Sequence, residues 1–309
     1  MAAFNANHPR LGSALYHLLL LLGLLILVFI LFSGLPANPA RSMLGLNASE
    51  EAVRALEQEL GLDQPLQRQF IRYLSGLVRL DFGVSFVTRR PVRMDLFSAV
   101  WATLRYVSIA LLFSLIASLT LATMAHFHRR LQRGIWLAAA VVTSLPNLVW
   151  ALGLGLLILK CQLLVVIPSI QIRYLFMAAL ALSLYPVATL SQILISEDRR
   201  IRRQLSVLAG RSIGLGESRL YFTRVLPQAL SAWLAQLSNI SASLLAGSVF
   251  IEIIFSIPGL GHLVAESVLR QDYPMIQAIL IVCFFGFILL NWMLERLYGY
   301  LYPGSRVET

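Results

Sequence analysis

Six long blocks of apolar residues limit this chain to folds that cross a lipid bilayer. The hydrocarbon core of a bilayer requires about 20 consecutive apolar residues per helix, and each block is long enough. No water reaches the backbone inside lipid, so a span must pair its amides within its own helix. We therefore predict an all-α integral membrane protein with about six transmembrane helices. The blocks are Ser13–Leu35, Ala99–Ala125, Gly134–Leu159, Tyr174–Ile195, Ala229–Phe255 and Met275–Leu301.

The composition supports this class of protein. Apolar residues make up 58% of the chain and charged residues 13%. Soluble domains are nearer to half apolar and a quarter charged. The first block is longer than the ~7–15-residue apolar core of a secretory signal, and no small-x-small cleavage site follows closely. We therefore expect the first block to be a retained helix.

Basic residues predict the orientation in the membrane. The net charge is +10, and Lys160 is the single lysine. Arginines are concentrated between the second and third blocks and between the fourth and fifth, and basic short loops stay on the cytoplasmic side. Both termini are therefore expected in the cytoplasm. Topology explains this charge better than nucleic-acid binding does, so no nucleic-acid partner is predicted. The arginines in these two loops are Arg129, Arg130, Arg133, Arg199, Arg200, Arg202, Arg203, Arg211, Arg219 and Arg224.

The segment 36–98 is the one sizeable stretch of the sequence outside the apolar blocks. Ser49 is suited to cap a helix and Gly61 to end it. Asp63 is expected to cap a second helix, with Pro65 in its first turn. On the outer face, this helical element either covers the bundle passively or receives a partner protein.

The loop after the fifth block contains residues that interrupt a helix. Pro258, Gly259 and Gly261 prevent a continued helix there. A short re-entrant or interfacial segment, Leu260–Arg270, is expected to follow. Asp272 is then expected to cap the final helix.

The sequence lacks the motifs of several enzyme classes. A nucleotide-binding P-loop requires Gly-Lys-Ser/Thr, but Lys160 is followed by Cys161. The His-Glu-x-x-His zinc motif is also absent. Cys161 and Cys283 match neither a disulfide framework nor a metal-site spacing. We therefore predict a non-enzymatic chain that itself binds no metal and no cofactor.

Glu252 is the most notable ionisable residue within the apolar blocks. Charged groups at membrane depth are costly and indicate a functional site by default. The neighbouring Gly247 and Ser248 permit close helix approach or leave room for a pathway. Two roles stay open for Glu252, a structural one and a pathway-lining one. The candidate pathway or gating residues are Gly247, Ser248, Glu252, Pro258, Gly259, Gly261 and Asp272.

A polar, arginine-rich segment between the fourth and fifth blocks carries the most specific pattern. Leu205, Leu208 and Ala209 form an apolar strip at helical spacing. Gly210 is expected to allow close approach of a partner surface, and Gly214 to end the helix with a positive φ. Such a helix is suited to docking in a groove of a soluble protein. The predicted docking residues are Leu205, Leu208, Ala209, Gly210, Arg211, Gly214, Leu226 and Pro227.

The spacing of this segment resembles the EAA loop of ATP-binding-cassette (ABC) importer permeases. That loop reads Glu-Ala-Ala, three residues, Gly, nine residues, an apolar position, one residue and Leu-Pro. Ala209, Gly214, Leu226 and Pro227 fall in register with it. The positions that depart are Leu208 for the acid, Gly210 for the second alanine and Arg224 for the apolar residue.

Further matches run in order from about residue 55 to the end of the chain. They resemble the dipeptide, oligopeptide, nickel and opine branch of these permeases. The Leu80–Phe86 run, with the Arg-Arg-Pro-Val that follows, looks most like nickel permeases. The matching runs are Leu60–Leu66, Leu80–Phe86, Arg90–Val92, Ser144–Asn147, Pro258–Gly261, Asp272–Pro274 and the closing Asn291, Tyr298 and Pro303.

The resemblance implies a type I ABC importer permease in a bacterial inner membrane. The chain would pair with a second homologous permease, two ATPase subunits that use ATP and Mg²⁺, and a periplasmic substrate-binding protein. It would form half of the translocation path and transmit ATPase motion through a coupling helix at Gln204–Gly214. The expected parts are the N-terminus and first helix over 1–35, an external region over 36–98, and a permease domain over 99–309 with its coupling loop at about 196–227.

The resemblance suggests nickel or a nickel–chelate (metallophore) complex as the substrate. Dipeptides or oligopeptides, including glutathione, are the alternative. A secondary transporter without ATPase subunits is a different class, and such proteins often carry inverted repeats, none of which is visible in this sequence. An intramembrane enzyme would need paired catalytic groups at membrane depth, and the sequence shows none.

Replacing Gly214 by proline should uncouple ATP hydrolysis from transport and leave the protein in the membrane. Proline fixes φ near −65° and cannot adopt the positive φ expected at this helix end. Uptake and ATP hydrolysis would be measured together in reconstituted vesicles, with an immunoblot of the membrane fraction. Unchanged uptake would count against a docking role for this segment.

Overall fold

The computed structural model describes residues 9–33, 39–44, 48–146, 148–150, 152–154 and 170–301. Predicted features at Leu35, Asn147, Lys160, Cys161 and Pro303 lie outside these ranges. Within them the chain is almost entirely helical, apart from loops and one antiparallel bridge between Val84 and Pro91. The predicted all-α class is confirmed. The helices are α1 (Pro9–Ser33), α2 (Pro39–Leu44), α3 (Glu50–Leu60), α4 (Leu66–Val78), α5 (Val92–Phe127), α6 (Arg129–Ser144), α7 (Leu148–Leu154), α8 (Ile170–Ile201), α9 (Leu205–Ser212), α10 (Glu217–Leu220), α11 (Leu226–Ala235), α12 (Leu237–Phe255), α13 (Leu260–Leu269) and α14 (Tyr273–Leu301).

Five of these helices are long and apolar enough to cross a bilayer: α1, α5, α8, α12 and α14. The pair α6 and α7 makes a sixth span when it is counted as one, although it is bent by 101°. The bend falls just before Pro146, where Leu145 is extended with φ −109° and ψ 143°. A residue that precedes proline is sterically driven out of the helical region, so α6 ends there. The prediction of about six spans is confirmed.

The contacts group the chain into two compact units. Unit 1 contains Met1–Trp101 and His262–Trp292, and unit 2 contains Ala102–Gly261 and Met293–Thr309. The parts predicted from the sequence, 1–35, 36–98 and 99–309, are defined by the side of the membrane on which they lie. A grouping by contacts does not test them, and they stay predictions.

In unit 1, the predicted ends of α3 are confirmed and the predicted start of α4 is wrong. Ser49 Oγ accepts a hydrogen bond from the Ala52 N–H at 3.3 Å, and Gly61 ends α3 with φ 66°. Helix α4 begins after Pro65, without the expected cap from Asp63. The fixed φ of proline and its missing N–H suit a helix start, so no side-chain cap is needed.

Aromatic side chains join α4 to α1 in unit 1. The ring of Phe29 lies 5.0 Å from that of Phe70 and 5.6 Å from that of Tyr73. Burial raises the pKa of the Tyr73 hydroxyl to about 12. Only 6% of the apolar window of α1 is buried, so this contact anchors a helix that is otherwise open to its surroundings.

Helix α8 is the centre of unit 2. It packs against α6, α11 and α12, and 61% of its apolar window is buried. Leu182, Leu190 and Leu194 on this helix are at most 2% exposed. Helix α8 is therefore surrounded by protein along most of its length.

A π turn over Tyr221–Val225 connects α10 to α11. The helical run is continuous from Glu217 to Ala235 and passes through Leu226 and Pro227. In a regular α-helix the ring of Pro227 would clash with the carbonyl of Thr223, four residues earlier. The wider π turn relieves this clash without ending the helix.

Candidate functional site

Helix α9 occupies the predicted docking segment and begins after Gln204. The predicted apolar strip is exposed, with Leu205 84% and Leu208 44% accessible and Ala209 also exposed. Val207, which the sequence pattern did not single out, is fully buried. The helix therefore presents leucines outward and is anchored to unit 2 by its opposite face.

Gly210 makes its close approach inside the chain and not toward a partner. It is buried, and a Cβ at this position would lie 2.6 Å from Leu220 Cδ2. The small residue therefore lets α9 pack closely on α10.

The turn after α9 closes as the sequence indicates. Gly214 has φ 81°, and its N–H donates to the Arg211 carbonyl at 3.0 Å. Arg211 Nε lies 2.7 Å from Glu217 Oε1. The hydrogen bond from Arg211 lowers the pKa of the Glu217 carboxyl group and so favours its ionised form. This exposed pair links α9 to α10, although pairs exposed to water contribute little to stability.

A buried ionic network joins the end of α5 to the end of α8. His126 Nδ1 lies 2.6 Å from Asp198 Oδ1, and both side chains are nearly inaccessible. Arg202 Nε lies 3.1 Å from Asp198 Oδ2, and Arg202 Nη2 donates to the His126 carbonyl at 2.7 Å. Removing one member of a buried pair leaves an uncompensated charge, which is strongly destabilising. These three residues therefore fix the two helix ends to each other.

Tyr221 extends this network to the π turn. Its ring lies 4.0 Å from that of His126, and its hydroxyl lies 2.9 Å from Thr123 Oγ1. Burial raises the pKa of the Tyr221 hydroxyl. No sequence motif identifies this role of His126. The available signal was Asp198, one of few acids among the arginines of that segment.

Glu252 is completely buried and accepts several hydrogen bonds in unit 2. Its Oε1 accepts from Thr103 Oγ1 at 2.6 Å and from the Tyr106 hydroxyl at 2.7 Å, both on α5. Its Oε2 accepts from the Gly261 N–H. Of the other predicted pathway residues, Gly247 and Ser248 are buried on the same helix. A carboxylate paired in this way ties α5, α12 and the following loop together.

The glycines of that loop are required by the space around Glu252. A Cβ at Gly259 would overlap the Glu252 carboxylate, and a Cβ at Gly261 would overlap Val249 Cα. The loop therefore lies directly on α12, while Pro258 within it is exposed.

Asp272 has a different partner from the one expected. It is 3% exposed, and its carboxylate accepts hydrogen bonds from Ser85 Oγ and from the Phe86 N–H, the latter at 3.0 Å. Among the described residues its side chain makes no capping bond to α14; only its backbone carbonyl does so, accepting the Ile276 N–H at 3.0 Å. Asp272 thus holds the Ser85 loop to the start of α14 within unit 1. In the described ranges, no three histidine, cysteine or acidic side chains gather in a way that could hold a metal ion.

Sequence profiles of one transport family match nearly the whole chain. The profile described as binding-protein-dependent transport system inner membrane component matches residues 86–307. The profile of its N-terminal part matches residues 10–105.

Individual proteins are similar over the same length. The glutathione transport system permease protein GsiC of Escherichia coli (strain K12) is 29% identical over 92% of this chain and 94% of its own. The protein of the same name from Salmonella paratyphi A is 30% identical over the same shares. A solved structure described as an amino acid ABC transporter with histidines matches with a TM-score of 0.53 and 18% identity, over 66% of this chain and 92% of that chain. The last match supports the fold alone.

Replacing Gly261 by alanine should destabilise the protein by about 1–3 kcal/mol, because the added methyl group would meet the backbone of α12. The matched control is Gly286→Ala, where no described atom beyond the neighbouring backbone of α14 lies within 4 Å of the added Cβ. The midpoint of thermal unfolding in detergent would be measured for both variants. Equal midpoints for Gly261→Ala and the wild type would contradict the close packing of this loop.

Proposed function

The chain belongs to the family of binding-protein-dependent transport system inner membrane components, and we propose that this ABC importer permease carries short peptides of the glutathione type. The observation that carries this proposal is the similarity to glutathione permeases over 92% of the chain. Permease subunits of this family are not enzymes themselves. Nickel or a nickel–chelate complex, suggested by the Leu80–Phe86 run, stays a prediction to be tested beside the peptide.

Helix α9 is proposed as the coupling helix that docks on an ATPase subunit. Its exposed leucines, Leu205 and Leu208, are suited to a groove, and burying one such side chain contributes about 1.5–3 kcal/mol. Two ATPase subunits, one for this chain and one for a second homologous permease, would bind ATP and Mg²⁺. This chain would bind neither.

Leu208 gives the docking contact an apolar character. It occupies the position of the acidic residue in the EAA pattern and is 44% exposed. An apolar contact at this point would depend less on salt than an ion pair does. The ion pair of this segment between Arg211 and Glu217 forms within the chain.

The connection from α9 to Glu252 is helical from Glu217 onward, with α10, the π turn, α11 and then α12. Helix α12 alone has 19 residues, which is about 28 Å at 1.5 Å per residue. A displacement of α9 would therefore reach the loop beside Glu252 through successive helices of unit 2. ATP would shift the equilibrium between two states only through stronger binding of one docked arrangement.

We assign the gating role to the two carboxylate sites described above. Glu252 holds the loop of Pro258, Gly259 and Gly261, while the buried Gly247 and Ser248 lie one turn or so earlier on α12. Asp272 holds a second loop at Ser85. Movement of either helix would change these hydrogen bonds, which makes both loops suitable elements of an outer gate.

In the proposed topology both termini and the loop at about 196–227 are cytoplasmic. The region 36–98 then faces the periplasm, where the substrate-binding protein would dock. Transport by the purified chain without ATPase subunits would contradict this arrangement and favour a secondary transporter.

Replacing Leu205 by aspartate should reduce the amount of ATPase subunit that co-purifies with the permease by about tenfold or more, since an apolar contact is lost. The matched control is Leu269→Asp on α13, because Leu269 is 85% exposed compared with 84% for Leu205. The ATPase-to-permease ratio would be measured after affinity purification of the tagged permease. An unchanged ratio for Leu205→Asp, or an equal loss in the control, would contradict docking through α9.

Deleting this chain should abolish uptake of labelled glutathione or a labelled dipeptide, and restoring the chain should return it. Uptake of labelled nickel is the parallel measurement in the same strains. Loss of nickel uptake with normal peptide uptake would overturn the peptide proposal. Loss of peptide uptake alone would exclude nickel.

A further inference from the structure

An arginine-rich concavity lies at the helix ends beside α9 in unit 2. Its volume is about 900 Å³, and we call it the arginine basin. The first turns of α6, the end of α8 and the end of α9 supply its charge. Besides Arg202, its arginines are Arg129, Arg130, Arg133, Arg199, Arg203 and Arg211.

The positive charge of the arginine basin is not balanced by the residues that the structure describes. Asp198 is the one carboxylate among its described lining residues, and it is already bound by His126 and Arg202. Arg211 is paired with Glu217. The other five arginines make no ion pair within the described ranges, so most of the charge is available to an anion.

The arginines of α6 also oppose the dipole of that helix. Arg129 and Arg130 open α6, and Arg133 lies one turn later. The N-terminus of a helix carries a partial positive charge, which destabilises cations placed there. His128, the N-cap, makes no side-chain cap bond. A bound anion would relieve this repulsion.

A buried, unpaired nitrogen is a second and independent observation at this site. His126 lines the arginine basin, and its side chain is 2% exposed. Its Nδ1 is bound to Asp198, whereas its Nε2 is buried and has no hydrogen-bond partner among the described residues. An unpaired buried polar atom is destabilising, and a hydrogen bond with a polar group of a ligand would remove that penalty.

We propose that the arginine basin binds a phosphate-bearing anion, supplied either by an anionic phospholipid headgroup or by a free phosphate compound. Arginine donates paired hydrogen bonds that match phosphate oxygens. In the proposed topology these helix ends lie at the cytoplasmic surface, where basic pockets between transmembrane helices take lipid headgroups. The site goes beyond peptide import, because it concerns an anion that the permease itself binds away from any transported substrate. An acidic surface of an ATPase subunit is the competing occupant.

The test uses the complete importer complex in detergent micelles that contain phosphatidylglycerol and phosphatidylcholine. Native mass spectrometry counts the phosphatidylglycerol molecules that remain bound. The basin variant is Arg130→Gln with Arg133→Gln, both exposed on α6 and outside the packed core. The control variant is Arg219→Gln with Arg224→Gln, which removes the same charge from exposed positions outside the basin. A second arm titrates inorganic pyrophosphate into each sample.

The basin variant should bind phosphatidylglycerol about thirty-fold more weakly than the wild type, and the control should bind it as the wild type does. If pyrophosphate does not displace the bound phosphatidylglycerol, the site is specific for the lipid. If pyrophosphate displaces it, the site recognises the phosphate group alone. Equal lipid retention in the basin variant and the wild type would overturn the proposal. So would an equal loss in both variants, or a loss of ATPase subunit from the basin variant with lipid retention unchanged. None of these readouts depends on which substrate the importer carries.

Discussion

A polar group at membrane depth cannot form hydrogen bonds with water, and the fold of this chain follows from that constraint. The backbone satisfies it by forming helices over nearly all the described residues. Two carboxylates satisfy it by collecting donors from other elements: Glu252 from α5 and the following loop, and Asp198 from His126 and Arg202. Each buried charge thereby becomes a joint between elements that are far apart in sequence.

Helix α5 carries one partner group for each of these joints. Tyr106 bonds to Glu252, and His126 bonds to Asp198. Twenty residues separate them, which is about 30 Å along a helix and equals the thickness of a hydrocarbon core. The spacing of the two polar joints along α5 therefore matches one hydrocarbon-core thickness. Between them, the core of unit 2 is made largely of leucine, isoleucine and alanine side chains.

The features predicted correctly from the sequence are those in which one residue determines the local backbone. Ser49, Gly61 and Gly214 are examples, because a cap or a positive φ depends on near neighbours. The expectations for Asp63 and Asp272 failed because each side chain had alternatives. Pro65 already starts α4 without a side-chain cap. The Asp272 carboxylate instead accepts a hydrogen bond from Ser85, which is 187 residues away in sequence. The contacts of Gly210 and His126 were not predicted because their partners, Leu220 and Asp198, are identified only by packing in the folded chain.

The π turn at Tyr221–Val225 has a consequence for comparing this chain with its relatives. A π turn holds more residues than an α turn, and each residue of a helix corresponds to about 100° of rotation. Deleting one residue there would leave α11 in place and rotate α10, with Glu217, onto another side of the helix. A one-residue gap in an alignment at this point therefore means that α10 is rotated relative to α11, and not only that a loop differs in length. Relatives that differ in length here should be superposed separately on either side of the turn before their coupling segments are compared.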